Sequence, residues 1–572
     1  MHAIPGRLGQ FAGFRRTVSR FRREEDGAMI IFGLYILVAM MIVSGIAFDL
    51  MRFETERMRT QSAIDRAVLA AASLSQPLSA QEVVESYFQK SGVVGEVSIS
   101  EDRGINFRTV SATSQVEVPT RFMRMVDRTM LLGQLSPELA VHDGVFTLGT
   151  ASGATAIENI PNIEISLVLD NSGSMGSNQR LTNLKVAAKE FVNAMLCNPT
   201  DPSDGADCTV EDGRVSMTIV PYNEQVNAGE DLLNQFNVSS EHNFSHCVTF
   251  DEADFASRAI PVDMPLQRTG HFDPWSSNRV TPRETSRVCK TDAGAPITVL
   301  EKDRTRLKQR IDALVANGNT SIDLGMKWGV ALLDPAAQPV VNGLADLNIV
   351  NSVFRGRPVA YDNTETIKVV VLMTDGENTS QHQLKPQYRD GPSEFWRSTK
   401  LSSDNNDKDG DFYVIRRVFS GGSVQYYYPN YSGSTIQSGF SRGWASQPDY
   451  RRICSGSNCS FQRRPDQATR MDHPDLWNEV AARYYDSFSW LETPYVWTNN
   501  GPKNDRLEDI CDAAKGQGVV VFSIGFEAPT NGRTVLRNCA SSFNHYFDVK
   551  GLEISDAFQA IASAINNLKL IQ

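Results

Sequence analysis

The residues of this chain best suited to chemistry are oxygen donors. The run Asp170-Asn171-Ser172-Gly173-Ser174 sets one carboxylate and two hydroxyls within five positions. It follows the apolar segment IEISLVLD, whose unbroken hydrophobic character reads as a buried strand ending in Asp170. In open α/β sheets, ligands collect outside the carboxyl ends of strands. Two other segments offer the same chemistry. Thr320 lies in the turn GNTS, which opens a helix, and Asp375 closes the apolar strand IKVVVLMTD. If the three loops meet, Asp170, Ser172, Ser174, Thr320 and Asp375 form an all-oxygen set. That set suits a hard divalent cation, Mg²⁺ first and Ca²⁺ or Mn²⁺ as alternatives, rather than zinc. Two carboxylates and weakly donating hydroxyls leave residual positive charge on such an ion. An open coordination position would then accept a carboxylate from a protein partner. Taken alone, the first run is also a turn whose Asp or Ser caps a helix.

Other chemistries find less support. A phosphohydrolase with an aspartyl nucleophile would carry DxDx(T/V), but Ser172 stands where the second Asp belongs. There is no Walker A or HExxH motif. Asn405-x-Asp407-x-Asp409-Gly410 resembles the start of a calcium loop, yet Arg416 occupies the place of its closing Glu, so a polar turn is expected. His242, His246 and Cys247 lack the further ligand pair that a structural zinc would need. The chain therefore reads as a binding protein without catalysis. Its net charge of −11 argues against nucleic acid, because phosphate contact needs fields of Lys and Arg.

The elements that must position these residues begin near Ile163. Strand-like and helix-like segments alternate from there: IEISLVLD, a helix over 181–196, VSMTIV, helices over 303–315 and 321–333, IKVVVLM, a helix over 506–515, VVVFSI and a closing helix over 555–568. Apolar strands separated by helices imply a parallel sheet covered on both faces. Two stretches interrupt it, about 223–302 and 377–505. The second is rich in Tyr, Gly and Ser and is either a structured insertion or a low-complexity segment. Tyr426, Tyr427 and Tyr428 are candidates for contact surface or for the core of that insertion.

Upstream, Ala28 to Phe48 holds 21 residues without a charge, about 31 Å as a helix, enough to span a bilayer core. The first 26 residues carry six Arg, so the positive-inside rule puts the N-terminus in the cytoplasm and everything after residue 48 outside it. The Ala-rich helix formers after the span continue the same helix, and Ala67, Ala70, Ala71 and Ala72 permit close packing. A second helix is expected over 80–90. Period-two alternation over 91–150 reads as a small β unit, and 151–162 as a linker. All eight cysteines follow the span, on the side inferred to be oxidising, which favours disulfides. Eight cysteines permit about a hundred pairings. The nearest-neighbour choice is Cys197–Cys208, Cys247–Cys289, Cys454–Cys459 and Cys511–Cys539.

With the motifs in view, DNSGSMG, GNTS and MTDGEN resemble the three loops of the metal-ion-dependent adhesion site of von Willebrand factor type A domains. The resemblance implies that Ser172, Ser174 and Thr320 ligate a cation, with Asp170 and Asp375 doing so directly or through water. It also implies a doubly wound, mostly parallel, Rossmann-like α/β sheet over 163–572. The stretch from Glu24 to Ser73 resembles the anchoring segment of TadG-like proteins of Tad/Flp pilus assembly. There Phe32 stands where pilin-like precursors carry Glu five residues after Gly27, so an uncleaved anchor is expected. The organisation expected is a cytoplasmic basic tail (1–27), a transmembrane helix (28–48), a helical extension (49–90), a small β unit and linker (91–160) and the type A domain (163–572). The function implied is that of a single-pass inner-membrane protein, mostly periplasmic, whose partner is another pilus assembly component. A tethered type A adhesin or assembly factor unrelated to pili is the alternative.

Overall fold

In the computed structural model the described residues are 26–73, 76–93, 95–103, 107–123, 141–142, 145–159, 161–198, 203, 205, 208, 210–276 and 286–568. The expected basic tail lies outside them, apart from its last two positions. The chain divides into two compact units, Met1–Ile160 and Pro161–Gln572.

The first unit is built on one helix, α1 (Asp26–Ala72), 47 residues long. Its N-terminal half exposes apolar side chains, among them Met29, Phe32, Leu34, Tyr35 and Met41. It is long and apolar enough to cross a membrane. The same helix then changes character. Ile64, Ala67, Val68, Ala71 and Ala72 are buried in a core shared with α2 (Ala80–Ser91) and with strands β1 (Glu96–Arg103), β2 (Phe107–Pro119) and β3 (Val145–Asn159). The neighbour of the small-residue face is thus this chain's own antiparallel sheet, in the order β1-β2-β3 with the two-residue strand Val141–His142 at the edge. The linker expected over 151–162 is instead largely strand, since β3 runs to Asn159. Its small residues, Gly153, Ala154 and Ala156, are there because a helix packs over them, and Gln61 on α1 donates to the Gly153 carbonyl at 3.1 Å. Two buried polar groups fasten the unit. Asp49 accepts from the backbone N–H groups of Arg121, Phe122 and Met123, and Arg108 donates to the carbonyls of Ser73, Gln76 and Leu78.

The second unit is a mixed α/β fold. Its strands are β4 (Asn162–Asp170), β5 (Val215–Tyr222), β6 (Thr298–Glu301), β7 (Thr366–Thr374), β8 (Val520–Phe526) and β9 (Tyr546–Val549). They form one sheet in the order β9-β8-β7-β4-β5-β6, parallel throughout except for the antiparallel edge strand β6. Alternate residues of each strand point to opposite faces. Ile165, Leu167, Leu169, Val369 and Val371 enter one core with helices α3 (Arg180–Leu196), α4 (Arg304–Asp312) and α8 (Glu553–Leu568). Val168, Val370 and Leu372 enter the other with α5 (Ile322–Ala331), α6 (Asn500–Lys515) and α7 (Thr530–Cys539). Helix α5 lies close on the sheet because it carries glycines there. A Cβ on Gly325 would come within 2.6 Å of the Tyr222 ring, and one on Gly329 within 2.5 Å of Val168.

The insertion over 377–505 is structured. It holds a five-stranded sheet, one core of its own in which Tyr428 is fully buried, and a second core that it shares with Phe272 and Val288 of the 223–302 stretch. The Tyr-rich run is therefore interior as well as surface. The four disulfides are Cys197–Cys208, Cys247–Cys289, Cys454–Cys459 and Cys511–Cys539, the nearest-neighbour pairing.

Candidate metal centre

The five oxygen-bearing residues lie where β4 and β7, adjacent and parallel, both end. Asp170 is the last residue of β4 and is fully buried. One of its oxygens, Oδ1, accepts from the Ser172 backbone N–H at 2.7 Å, so the turn folds back on the carboxylate that begins it. Oδ2 accepts from the Thr374 hydroxyl at 2.5 Å, across from the end of β7. The row continues through side chains: Ser172 Oγ lies 3.1 Å from Ser174 Oγ, and Ser174 Oγ donates to Asp375 Oδ1 at 2.7 Å. Hydrogen bonds thus join four of the predicted residues in one contiguous set.

Thr320 joins through the backbone of its loop. Gly173 N–H donates to the Gly318 carbonyl, and Asn317 N–H to the Asn171 carbonyl, both at 2.9 Å. On the other side, Thr379 N–H donates to the Thr320 carbonyl at 3.0 Å, and Thr320 N–H donates to Thr379 Oγ1 at 2.8 Å. Thr320 itself is buried. The second loop is stitched to the first and the third, although about 150 and 55 residues of chain separate them.

The electrostatics follow from the crowding. Burial, and then the nearby Asp375 charge, push the Asp170 carboxyl up to about 7, against hydrogen bonds from Thr374 and Ser172 that pull it down. Arg180, at the start of α3, donates from Nη1 to Asp375 Oδ2 and from Nε to Glu527, both at 2.9 Å. That hydrogen bond holds the Glu527 carboxyl below its ordinary range. One cation therefore serves two acids, Asp375 and Glu527, and among the described residues none pairs with Asp170. The donors are two carboxylates and three hydroxyls, which fits a hard divalent ion. Among the described residues, no group of three or more His, Cys, Asp and Glu side chains assembles a different kind of metal site.

Residues outside the predicted five also build the centre. Thr374 stands beside Asp375 in the MTDG run and was legible there. Arg180 follows the first loop closely, but nothing local marks it as a partner of Asp375. Glu527 carried no sequence signal.

The calcium-like run elsewhere has a different fate. Asp407 and Arg451 are both fully buried and paired, and Arg451 also donates to Ser398 Oγ and to the carbonyls of Asp409 and Gly410. The guanidinium takes the oxygens that an ion would use, and the segment is a polar turn. Cys247 is in a disulfide, which removes it as a zinc ligand.

Comparison with known families matches residues 27–74 to the Tad model, described as putative Flp pilus-assembly TadE/G-like. Comparison with curated proteins found no match. Among solved structures, the chain is similar to the vWF domain of the type V pili tip protein Mfa5 from Porphyromonas gingivalis, with 17% identity, 71% of this chain and 96% of that chain covered, and a TM-score of 0.29. It is also similar to the pilus adhesin SpaC from Lactobacillus rhamnosus GG, with 11% identity, 83% of this chain but only 34% of that chain, and a TM-score of 0.27. A third is the PilB minor pilin from Streptococcus sanguinis, with 11% identity, 83% and 77% coverage, and a TM-score of 0.26. The family match is thus confined to the segment 27–74, most of which is the long apolar helix α1.

Proposed function

We propose that this protein is a membrane-anchored periplasmic component of Tad/Flp pilus assembly that binds a protein partner through a divalent cation, in a domain of the von Willebrand factor type A kind. The observation that carries the reading is the contiguous row Asp170–Ser172–Ser174–Asp375 across the ends of two adjacent parallel strands, with the Thr320 loop stitched beside it. Asp170, Ser172, Ser174, Thr320 and Asp375 would hold the ion, Mg²⁺ first. Bound there, a divalent cation supplies a positive charge able to take a carboxylate oxygen from a partner. The chain's own contribution is to keep the two carboxylates close together with little protein charge to neutralise them, so that the cation is the counter-charge. Arg180 orients Asp375 by holding Oδ2, which leaves Oδ1 on the side of Ser174.

The role is one of binding, in keeping with the pilus assembly family of the anchor segment. The anchor would sit in the inner membrane with its N-terminus in the cytoplasm, as the six Arg of the first 26 residues direct. Calorimetric titration of the full chain in detergent with MgCl₂ tests the site: saturable binding is expected in the parent protein and none in Asp375→Ala. Equal binding by both would remove the assignment. Loss of surface pili on deletion of the gene is expected on the pilus reading. Unchanged piliation would favour a tethered adhesin or assembly factor instead.

A further inference from the structure

Helix α6 begins within the last residues of the long insertion, and its first turns reach the loops of the candidate centre. Lys503 is 0% exposed. Its ammonium donates to the Thr320 carbonyl at 2.8 Å, to Ser321 Oγ at 2.6 Å and to the Thr379 carbonyl at 2.9 Å. All three of its protons are used, two on the Thr320 loop and one on the segment that follows Asp375. The next residue repeats the pattern. Asn504 Oδ1 accepts from Asn378 Nδ2 at 2.9 Å, and Asn378 Oδ1 accepts from the Ile322 N–H at 2.8 Å.

The countercharge is Asp323, also fully buried, 3.9 Å from Lys503 and 3.8 Å from Arg506. Among the described residues, no side chain hydrogen-bonds either Asp323 carboxylate oxygen. The acid thus balances charge without holding geometry, whereas the lysine holds geometry through three bonds. A buried ion pair is weak evidence for stability, because well-packed apolar residues of similar volume often do as well. What an apolar side chain of that size lacks is the ability to bind acceptors on two separate loops at once.

We infer that Lys503 is a positioning residue of the cation site, clamping the Thr320 loop to the Asp375 loop so that their oxygens face one ion. The inference rests on the cation reading above and deepens it. It also gives the insertion a consequence: residues 377–505 connect the third loop to its own clamp, so the set of the loops depends on how the insertion folds. Groups that orient metal ligands from behind typically carry a 10- to 100-fold share of metal affinity.

The test is Mg²⁺ titration calorimetry on the full chain in detergent, comparing the parent with Asp375→Ala, Lys503→Met, Asn504→Ala and Leu344→Ala. Leu344 is a buried core residue on the helix Gln338–Asp346, outside the three loops, and its truncation controls for lost stability alone. Lys503→Met should weaken Mg²⁺ binding by at least about tenfold. Asn504→Ala should weaken it severalfold, and Leu344→Ala should lower the melting temperature with affinity unchanged. If the parent binds and Asp375→Ala does not, yet Lys503→Met binds like the parent, the clamp is wrong and the site stands. An equal loss of affinity in Leu344→Ala would also overturn the clamp. If the parent itself binds no divalent ion, the site reading falls and takes the clamp with it. Should Lys503→Met not fold, Asn504→Ala, at a partly exposed position, decides by the same rule.

Discussion

Two acidic loops of the second unit show how little an acidic motif says until its cations are known. Around 404–410, three acids face three arginines: Asp404 with Arg464, Asp407 with Arg451 and Asp409 with Arg452. The charges balance, and Arg451 satisfies the turn's carbonyls as well. At the ends of β4 and β7, Arg180 alone meets two acids, Asp375 and Glu527, and among the described residues no cation pairs with Asp170. One loop has a counter-ion for each of its acids and the other does not. The sequence of the first is the closer to a calcium-loop pattern, and the second is the better candidate for a metal. The difference lies in which side chains the fold delivers, and it can be broken or sharpened by substitution.

The largest effect is expected in the balanced loop. Asp407→Ala leaves Arg451 buried and unpaired, which should cost about 3–5 kcal/mol of stability by chemical denaturation, while the response to Mg²⁺ stays as in the parent. A cation response lost along with stability would show the two loops to be coupled. Next comes the unbalanced loop. Asp170→Ala should abolish the rise in melting temperature produced by Mg²⁺, a gain of about 2.7 kcal/mol when the ion stands at a hundred times its dissociation constant. A persistent rise would move the site elsewhere.

A third expectation concerns pH. The Asp170 carboxyl is raised to about 7 from an ordinary 3.8. Without cation the folded state therefore holds an extra proton between those values, and this group's contribution to stability falls as pH rises through that window. The ion needs the ionised form. Its stabilising effect should be full above pH 7 and shrink by about 1.4 kcal/mol per pH unit below it, measured as melting temperature with and without Mg²⁺ from pH 5 to 8. A gain independent of pH would mean that Asp170 is not a ligand. The smallest effect is expected for the half-exposed Arg452, whose removal as Arg452→Ala should cost under about 1 kcal/mol and leave Mg²⁺ affinity untouched. A larger loss would mean that the balance of the 404–410 loop depends on its rim as well as on Arg451.

Much of this was legible in the residues. A run of 21 uncharged residues specifies a helix long and apolar enough to span a bilayer through length and transfer energy alone, and apolar strands that end in Asp place carboxylates at the sheet's carboxyl edge. Nearest-neighbour pairing of the cysteines also held, because each pair closes a short local excursion. Other features were not legible. Residues 151–159 look like a linker, since small side chains are equally at home in a loop and beneath a packed helix, and only α1 lying over them decides for strand. The neighbour of the Ala-rich face was likewise unreadable, because the face states that something comes close and not what.

What the sequence by itself determined is chemistry and local form: which oxygens exist, which strands they end, where an apolar helix runs and which cysteines lie close along the chain. These depend on neighbours a few positions away. What only the tertiary structure decided is company: Thr374 on Asp170, Arg180 on Asp375, Arg451 in the calcium-like turn and Lys503 beneath Thr320. Each joins residues dozens to hundreds of positions apart, and whether a buried acid is met by an arginine or left without one depends on how the sheet and its insertions close.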